Sequence, residues 1–97
     1  MKKTMLITGG ADGTGFAIAE KFAGAGYAVL LTSRDVEKAR AAARMLAVKY
    51  DIFSKGYALD IGAEQAVTDM FNDIDRSGCF VETVVLNAAN MGFGDDP

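Results

Sequence analysis

The chain has 97 residues, 51% of them apolar and 24% charged, which is enough apolar surface for one packed core and too much for a disordered segment. Ten basic residues against thirteen acidic ones leave a net charge of −3, which argues against a surface of clustered Lys/Arg for nucleic acid or anionic lipid. Histidine is absent and Cys79 is the single cysteine, so a Ser-His-Asp triad, a Cys-His pair, an imidazole metal site and an internal disulfide are all excluded within these residues.

In chain order, Met5-Leu6-Ile7-Thr8 is an apolar run that stops at glycines and reads as a buried strand. With Met1-Lys2-Lys3 before it, the run is too short for a signal peptide or a membrane span. Together with the lone thiol, this sets the expectation of a cytoplasmic protein with no membrane partner. From Gly13 to Ala25 the pattern turns helical, with Thr14, Ile18, Phe22 and Ala25 on one face, and Gly26 ends it. Tyr27 to Thr32 is apolar throughout, as a central parallel strand requires.

A second helix follows from Asp35 to Tyr50, with Val36, Ala39, Ala43, Leu46 and Tyr50 inward. Lys55 to Leu59 reads as a third strand. Ala63, Ala66, Val67, Met70, Phe71 and Ile74 form the apolar stripe of a third helix, closed by Gly78. Thr83 to Leu86 is a fourth strand. The order β-α-β-α-β-α-β with short connections predicts an α/β fold, a Rossmann-type doubly wound parallel sheet with helices on its faces. Cys79 reads as a small surface or half-buried residue, since nothing fixed and cationic stands beside it except Arg76.

The turn Thr8-Gly9-Gly10-Ala11-Asp12-Gly13-Thr14-Gly15 lies between the first strand and the first helix. Glycines there allow a sharp turn and a close backbone approach, and the helix aims unpaired N–H groups and its positive dipole end at whatever sits in front. The physics calls for a phosphate or diphosphate, with the bend between residues 8 and 15 expected to be a cradle of main-chain amides that holds it. A Walker-type loop is excluded, because Gly15 is followed by Phe16-Ala17 rather than Lys-Ser/Thr. G-x-G-x-x-G is excluded as well, since Gly13-Thr14-Gly15 runs on to Ile18.

What fits is T-G-x-x-x-G-x-G, carried by Thr8, Gly9, Gly13 and Gly15, and in this the chain resembles the non-extended branch of the short-chain dehydrogenase/reductase family. Asp60-Ile61 matches that family's aspartate facing the adenine amino group, although Asp60 also suits a plain loop or helix-start carboxylate. Leu86-Asn87-Ala88-Ala89 matches the N-N-A-G segment whose backbone lines the ribose site; Leu86 replaces the first Asn and Ala89 the Gly, while Asn87 and Ala88 remain. Thr14 stands where an aliphatic residue is usual, either to bond a phosphate oxygen or only as a small helix-start residue.

The end of the second strand discriminates between dinucleotides. A carboxylate there accepts from the ribose 2′-hydroxyl and repels a 2′-phosphate. The position holds neutral Ser33, and Arg34 follows with a planar fork for a phosphate, which predicts NADP(H) over NAD(H). Asp35 either caps the second helix or turns toward the ribose. The expected cofactor site is therefore Gly9, Gly13, Thr14, Gly15, Ser33, Arg34, Asp60 and Ile61 for the adenosine and phosphates, with Asn87 and Ala88 for the ribose.

The resemblance implies hydride transfer between a nicotinamide and a small carbonyl or secondary alcohol, in a dimer or tetramer, with a Ser and a Tyr-x-x-x-Lys pair doing the acid/base work. No tyrosine has that lysine: four residues after Tyr27, Tyr50 and Tyr57 stand Leu31, Ser54 and Ile61. The reading is therefore a cofactor-binding part, residues 1–97, whose catalytic groups and remaining strands lie in a continuation of the same protein. The competing reading is a non-catalytic NADP(H)-binding sensor or interaction module.

Overall fold

The computed structural model describes residues 2–11, 13–59 and 64–86. Seven elements follow the expected alternation: β1 (Lys2–Thr8), α1 (Gly13–Gly24), β2 (Ala28–Ser33), α2 (Val36–Tyr50), β3 (Ser54–Ala58), α3 (Glu64–Arg76) and β4 (Cys79–Leu86). All pairings are parallel and the sheet order is β3-β2-β1-β4. The crossover from β3 to β4 over the sheet makes the strand order reverse at β1, beside the glycine turn.

Alternation along the central strands divides the core. Met5, Ile7, Val29 and Leu31 pack on one face with Ala19 and Ala23 of α1 and Ala39, Ala42 and Leu46 of α2. Leu6 and Leu30 face the other way, against Met70 and Ile74 of α3 and Leu59. With both faces covered, the apolar run of β2 is explained.

The inner face of α1 differs from the expected one. Gly15, Ala19 and Ala23 are buried, whereas Thr14 and Ala25 are exposed and Ile18 and Phe22 sit half-buried at the flanks. The sheet beneath already carries Met5, Ile7, Val29 and Leu31, so the residues that let the helix approach are small ones four apart, with the large ones to either side. On α2, Asp35 is the N-cap: its Oδ1 accepts from the Glu37 and Lys38 amides at 2.9 and 3.4 Å. On α3, Met70 and Ile74 are buried but Phe71 is exposed; Ala63 lies outside the described residues.

β4 starts earlier than expected, at Cys79, which pairs with Lys2. Thr4 pairs with Val81 and Met5 with Thr83, so Glu82 is an extra residue, a β-bulge. That broken alternation hid the first half of the strand from a period-two reading. Glu82 Oε1 instead accepts from the Tyr27 hydroxyl at 3.1 Å.

Candidate functional site

The candidate site lies at the C-terminal ends of the strands, where β1 turns into α1. Register fixes its neighbours: Ile7 pairs with Leu31, Thr8 with Leu86, and Ser33 with Ala58. The ends of β2 and β4 therefore flank the glycine turn, with the end of β3 beyond that of β2. Ser33 is half-buried and its carbonyl accepts from the Leu59 amide at 3.0 Å, joining the ends of β2 and β3.

The glycines of the turn do different work. Gly9 has φ +67°, and its amide donates to Thr32 Oγ1 at 3.2 Å. The Gly10 amide donates to the Thr32 carbonyl at 3.1 Å. A Cβ on Gly10 would stand 2.7 Å from Ile7 Cγ2 and 3.0 Å from Leu31 Cβ, so this residue is glycine for packing. These two amides point into the protein, which corrects the expectation that the whole turn from 8 to 15 is a cradle of ligand-facing amides. The anion-binding capacity rests on the second half.

There Gly13 has φ +61°, begins α1, and would carry a Cβ that meets nothing within 4 Å. Left-handed backbone with open space in front is where glycine leaves room for a group to approach the main chain. Thr14 beside it is exposed, and Gly15 is buried and brings the helix onto the sheet. The first N–H groups of an α-helix have no intrahelical acceptor, and the dipole favours an anion before them.

The second half of the site is the turn after β2. The Ser33 hydroxyl accepts from the Asp35 amide at 3.1 Å, which tightens the turn and leaves Arg34 exposed at its tip. The Asp35 carboxylate is committed to the cap of α2, so of the two roles open to it in the sequence the structure gives it capping. An exposed guanidinium, a hydroxyl and helix-end amides form a donor set that suits a phosphorylated ligand. Gly9, Gly13, Thr14, Gly15, Ser33 and Arg34 thus gather at one end of the sheet; Asp60, Ile61, Asn87 and Ala88 lie outside the described residues.

Thr32 is the residue sequence reasoning missed. It is buried and in sequence reads as part of the apolar run before it; the signal is a hydroxyl ending an otherwise aliphatic strand, level with the glycine turn. An open groove of about 490 Å³ between α2, β3 and α3, edged by Arg40, Lys55, Asp69 and Asp73, includes neither the glycine turn nor Arg34. Among the described residues no helix is long and apolar enough to cross a membrane.

A family model described as short chain dehydrogenase matches residues 3–96. The chain is 35% identical over 86 residues to the 3-oxoacyl-[acyl-carrier-protein] reductase FabG of Aquifex aeolicus, covering 89% of this chain and 35% of that protein. It is 37% identical over 87 residues to a sorbose reductase of Schizosaccharomyces pombe, covering 89% of this chain and 34% of the relative. Among solved structures, an L-sorbose reductase from Gluconobacter frateurii, complexed with NADPH and L-sorbose, superposes with a TM-score of 0.85 at 31% identity over 92% of this chain and 34% of that one. A metagenomic short-chain oxidoreductase in complex with NADP gives 0.74 at 30% identity, over 84% of this chain and 37% of that one. The chain spans about a third of the length of these curated relatives.

Proposed function

The chain belongs to the short-chain dehydrogenase/reductase family, and from that premise we propose that it supplies the NADP(H)-binding part of an oxidoreductase acting on a small carbonyl or secondary alcohol. The observation that carries the cofactor reading is the β2–α2 turn. Ser33 is neutral, Arg34 is exposed, and the nearby carboxylate, Asp35, is held by the α2 amides. The carboxylate of that turn is oriented toward the α2 amides through its Oδ1, while an exposed cation stands ready for a 2′-phosphate.

Bound nicotinamide would supply the hydride chemistry. The chain's own residues bind and orient. Gly13 leaves the approach to the main chain open, and the α1 amides from Gly13 to Gly15 hold the diphosphate. Arg34 and Ser33 hold the 2′-phosphate, with Asp60, Ile61, Asn87 and Ala88 assigned to the adenosine and ribose. The groups that move protons belong to the rest of the protein, since no tyrosine here has a lysine four residues on.

Titration of NADPH and NADH against the parent and Arg34→Ala tests this. A charge-assisted hydrogen bond contributes about 1.5–3 kcal/mol, roughly ten- to a hundredfold in affinity. NADPH is expected to bind the parent more tightly by that margin, and Arg34→Ala to remove most of it with NADH affinity unchanged. Equal affinities in the parent would overturn the assignment.

A further inference from the structure

Thr32 is the last buried residue of β2, 2% exposed, and lies between the two halves of the candidate site. Its hydroxyl accepts from the Gly9 amide and its carbonyl from the Gly10 amide. Both hydrogen bonds cross from β2 to the turn after β1, beyond the Ile7–Leu31 pair with which the β1–β2 ladder ends. The next residue begins the other turn: Ser33 accepts from the Asp35 amide, and Asp35 in turn caps α2. Two loops that are far apart in sequence are thus joined through adjacent residues of one strand.

We propose that Thr32 is a positioning residue, whose side chain sets the path of the glycine turn and so the position of the diphosphate-binding end of α1, while Ser33 and Asp35 hold the 2′-phosphate-binding turn at Arg34 independently. Gly9 stands at φ +67°, a conformation that an unheld glycine leaves freely, because both signs of φ are open to it. Gly10 is wedged against Ile7 and Leu31. The Thr32 carbonyl accepts from Gly10 with any side chain at position 32, whereas the bond from the Gly9 amide is made to the hydroxyl. Removing the hydroxyl deletes the one bond of the Thr32 side chain that crosses from β2 to Gly9, and lets the entry into α1 shift at Gly13.

The inference rests on the NADP(H) reading, and three ligands separate the two. Adenosine 5′-diphosphate carries a diphosphate and no 2′-phosphate, adenosine 2′-monophosphate the reverse, and NADPH both. Thr32→Val keeps the β-branched shape and deletes the hydroxyl; Thr32→Ser keeps the hydroxyl. Thr32→Val is expected to weaken NADPH and adenosine 5′-diphosphate by the same factor, about tenfold for one lost hydrogen bond to the turn. Adenosine 2′-monophosphate should stay within about twofold, and Thr32→Ser should bind all three as the parent does.

Amide hydrogen exchange on the unliganded parent gives a readout that needs no variant to fold, and Gly9 and Gly10 are expected to be protected beyond Gly13. Equal loss of all three ligands in Thr32→Val, unchanged NADPH affinity, or a Gly9 amide that exchanges like an exposed one would overturn the role of Thr32. A parent that binds adenosine 5′-diphosphate but shows no preference for NADPH would overturn the cofactor reading and leave this one standing.

Discussion

Gly56 and Gly24 are both glycines in regular elements, and what lies against each gives opposite consequences for adding a methyl group. A Cβ on Gly56 would run into the carbonyl oxygen and carbon of Ala39, the backbone of α2. A helix backbone cannot move aside as a flexible side chain can, so Gly56→Ala must push α2 away from β3. The expected cost is about 1–3 kcal/mol, the range for overpacking a close contact. On Gly24 the nearest atom is Tyr50 Cε1 at 3.6 Å, an ordinary contact, and the residue closes α1. Gly24→Ala is expected to stabilise by about 0.5 kcal/mol through lost freedom in the unfolded chain. Urea denaturation of the two variants should move the midpoint in opposite directions. Neither sign is legible in the letters, because Gly56 looks like any weak strand residue until the helix is laid on it. Gly10 is the same case at the site, and the hydrogen bonds that reveal Thr32 likewise exist only once two strands are paired.

At the scale of elements, α3 is fastened to the edge strand β3 by a small polar knot. Asp73 Oδ2 accepts from Lys55 Nζ at 2.8 Å and from the Tyr57 hydroxyl at 2.7 Å. The hydrogen bond from Lys55, then that from Tyr57, holds the Asp73 carboxyl below its ordinary value of 3.8. A carboxyl whose folded pKa is depressed adds stability that is fully present above its unfolded pKa. That stability drains away as pH falls from there through the folded value. Asp73→Asn should therefore be less stable than the parent at neutral pH, and the difference should close as pH drops below 3.8; thermal melts from pH 7 to pH 2.5 would follow it. A gap that stayed constant across that range would assign the knot to packing instead of charge.

Elements were legible to the extent that their apolar period was regular. The stripe of α3 and the aliphatic runs of β1 and β2 were clear. In β4 a regular strand would put Val81 and Val85 on one face, yet Val81 packs on the α3 side and Val85 on the α1 and α2 side, because the extra residue Glu82 inverts the phase. The face of α1 was misread for the related reason that its contact with the sheet is made by glycine and alanine, which a hydrophobicity pattern underweights.

For the molecule as a whole, order β3-β2-β1-β4 buries β1 and β2 and leaves β4 as the last strand among the described residues. Its apolar side chains are not all covered: Phe80 is 52% exposed and Val84 51%. A parallel sheet is stable when helices cover both faces and its edges are short, charged or paired. β4 is eight residues long, apolar through Val84 and Val85, and therefore a template for another strand. Presented as these 97 residues alone, the chain is expected to self-associate through β4 in a concentration-dependent way. Val84→Lys should restore the monomer in sedimentation velocity, since one lysine on a strand edge opposes strand-to-strand pairing while leaving both cores intact. The same substitution on the exposed outer face of α2, Val48→Lys, is the control: Val48 is more exposed still, at 79%, but it lies on a helix whose backbone is already hydrogen-bonded. If Val48→Lys also removed the association, exposed apolar area in general and not the open strand would be its cause.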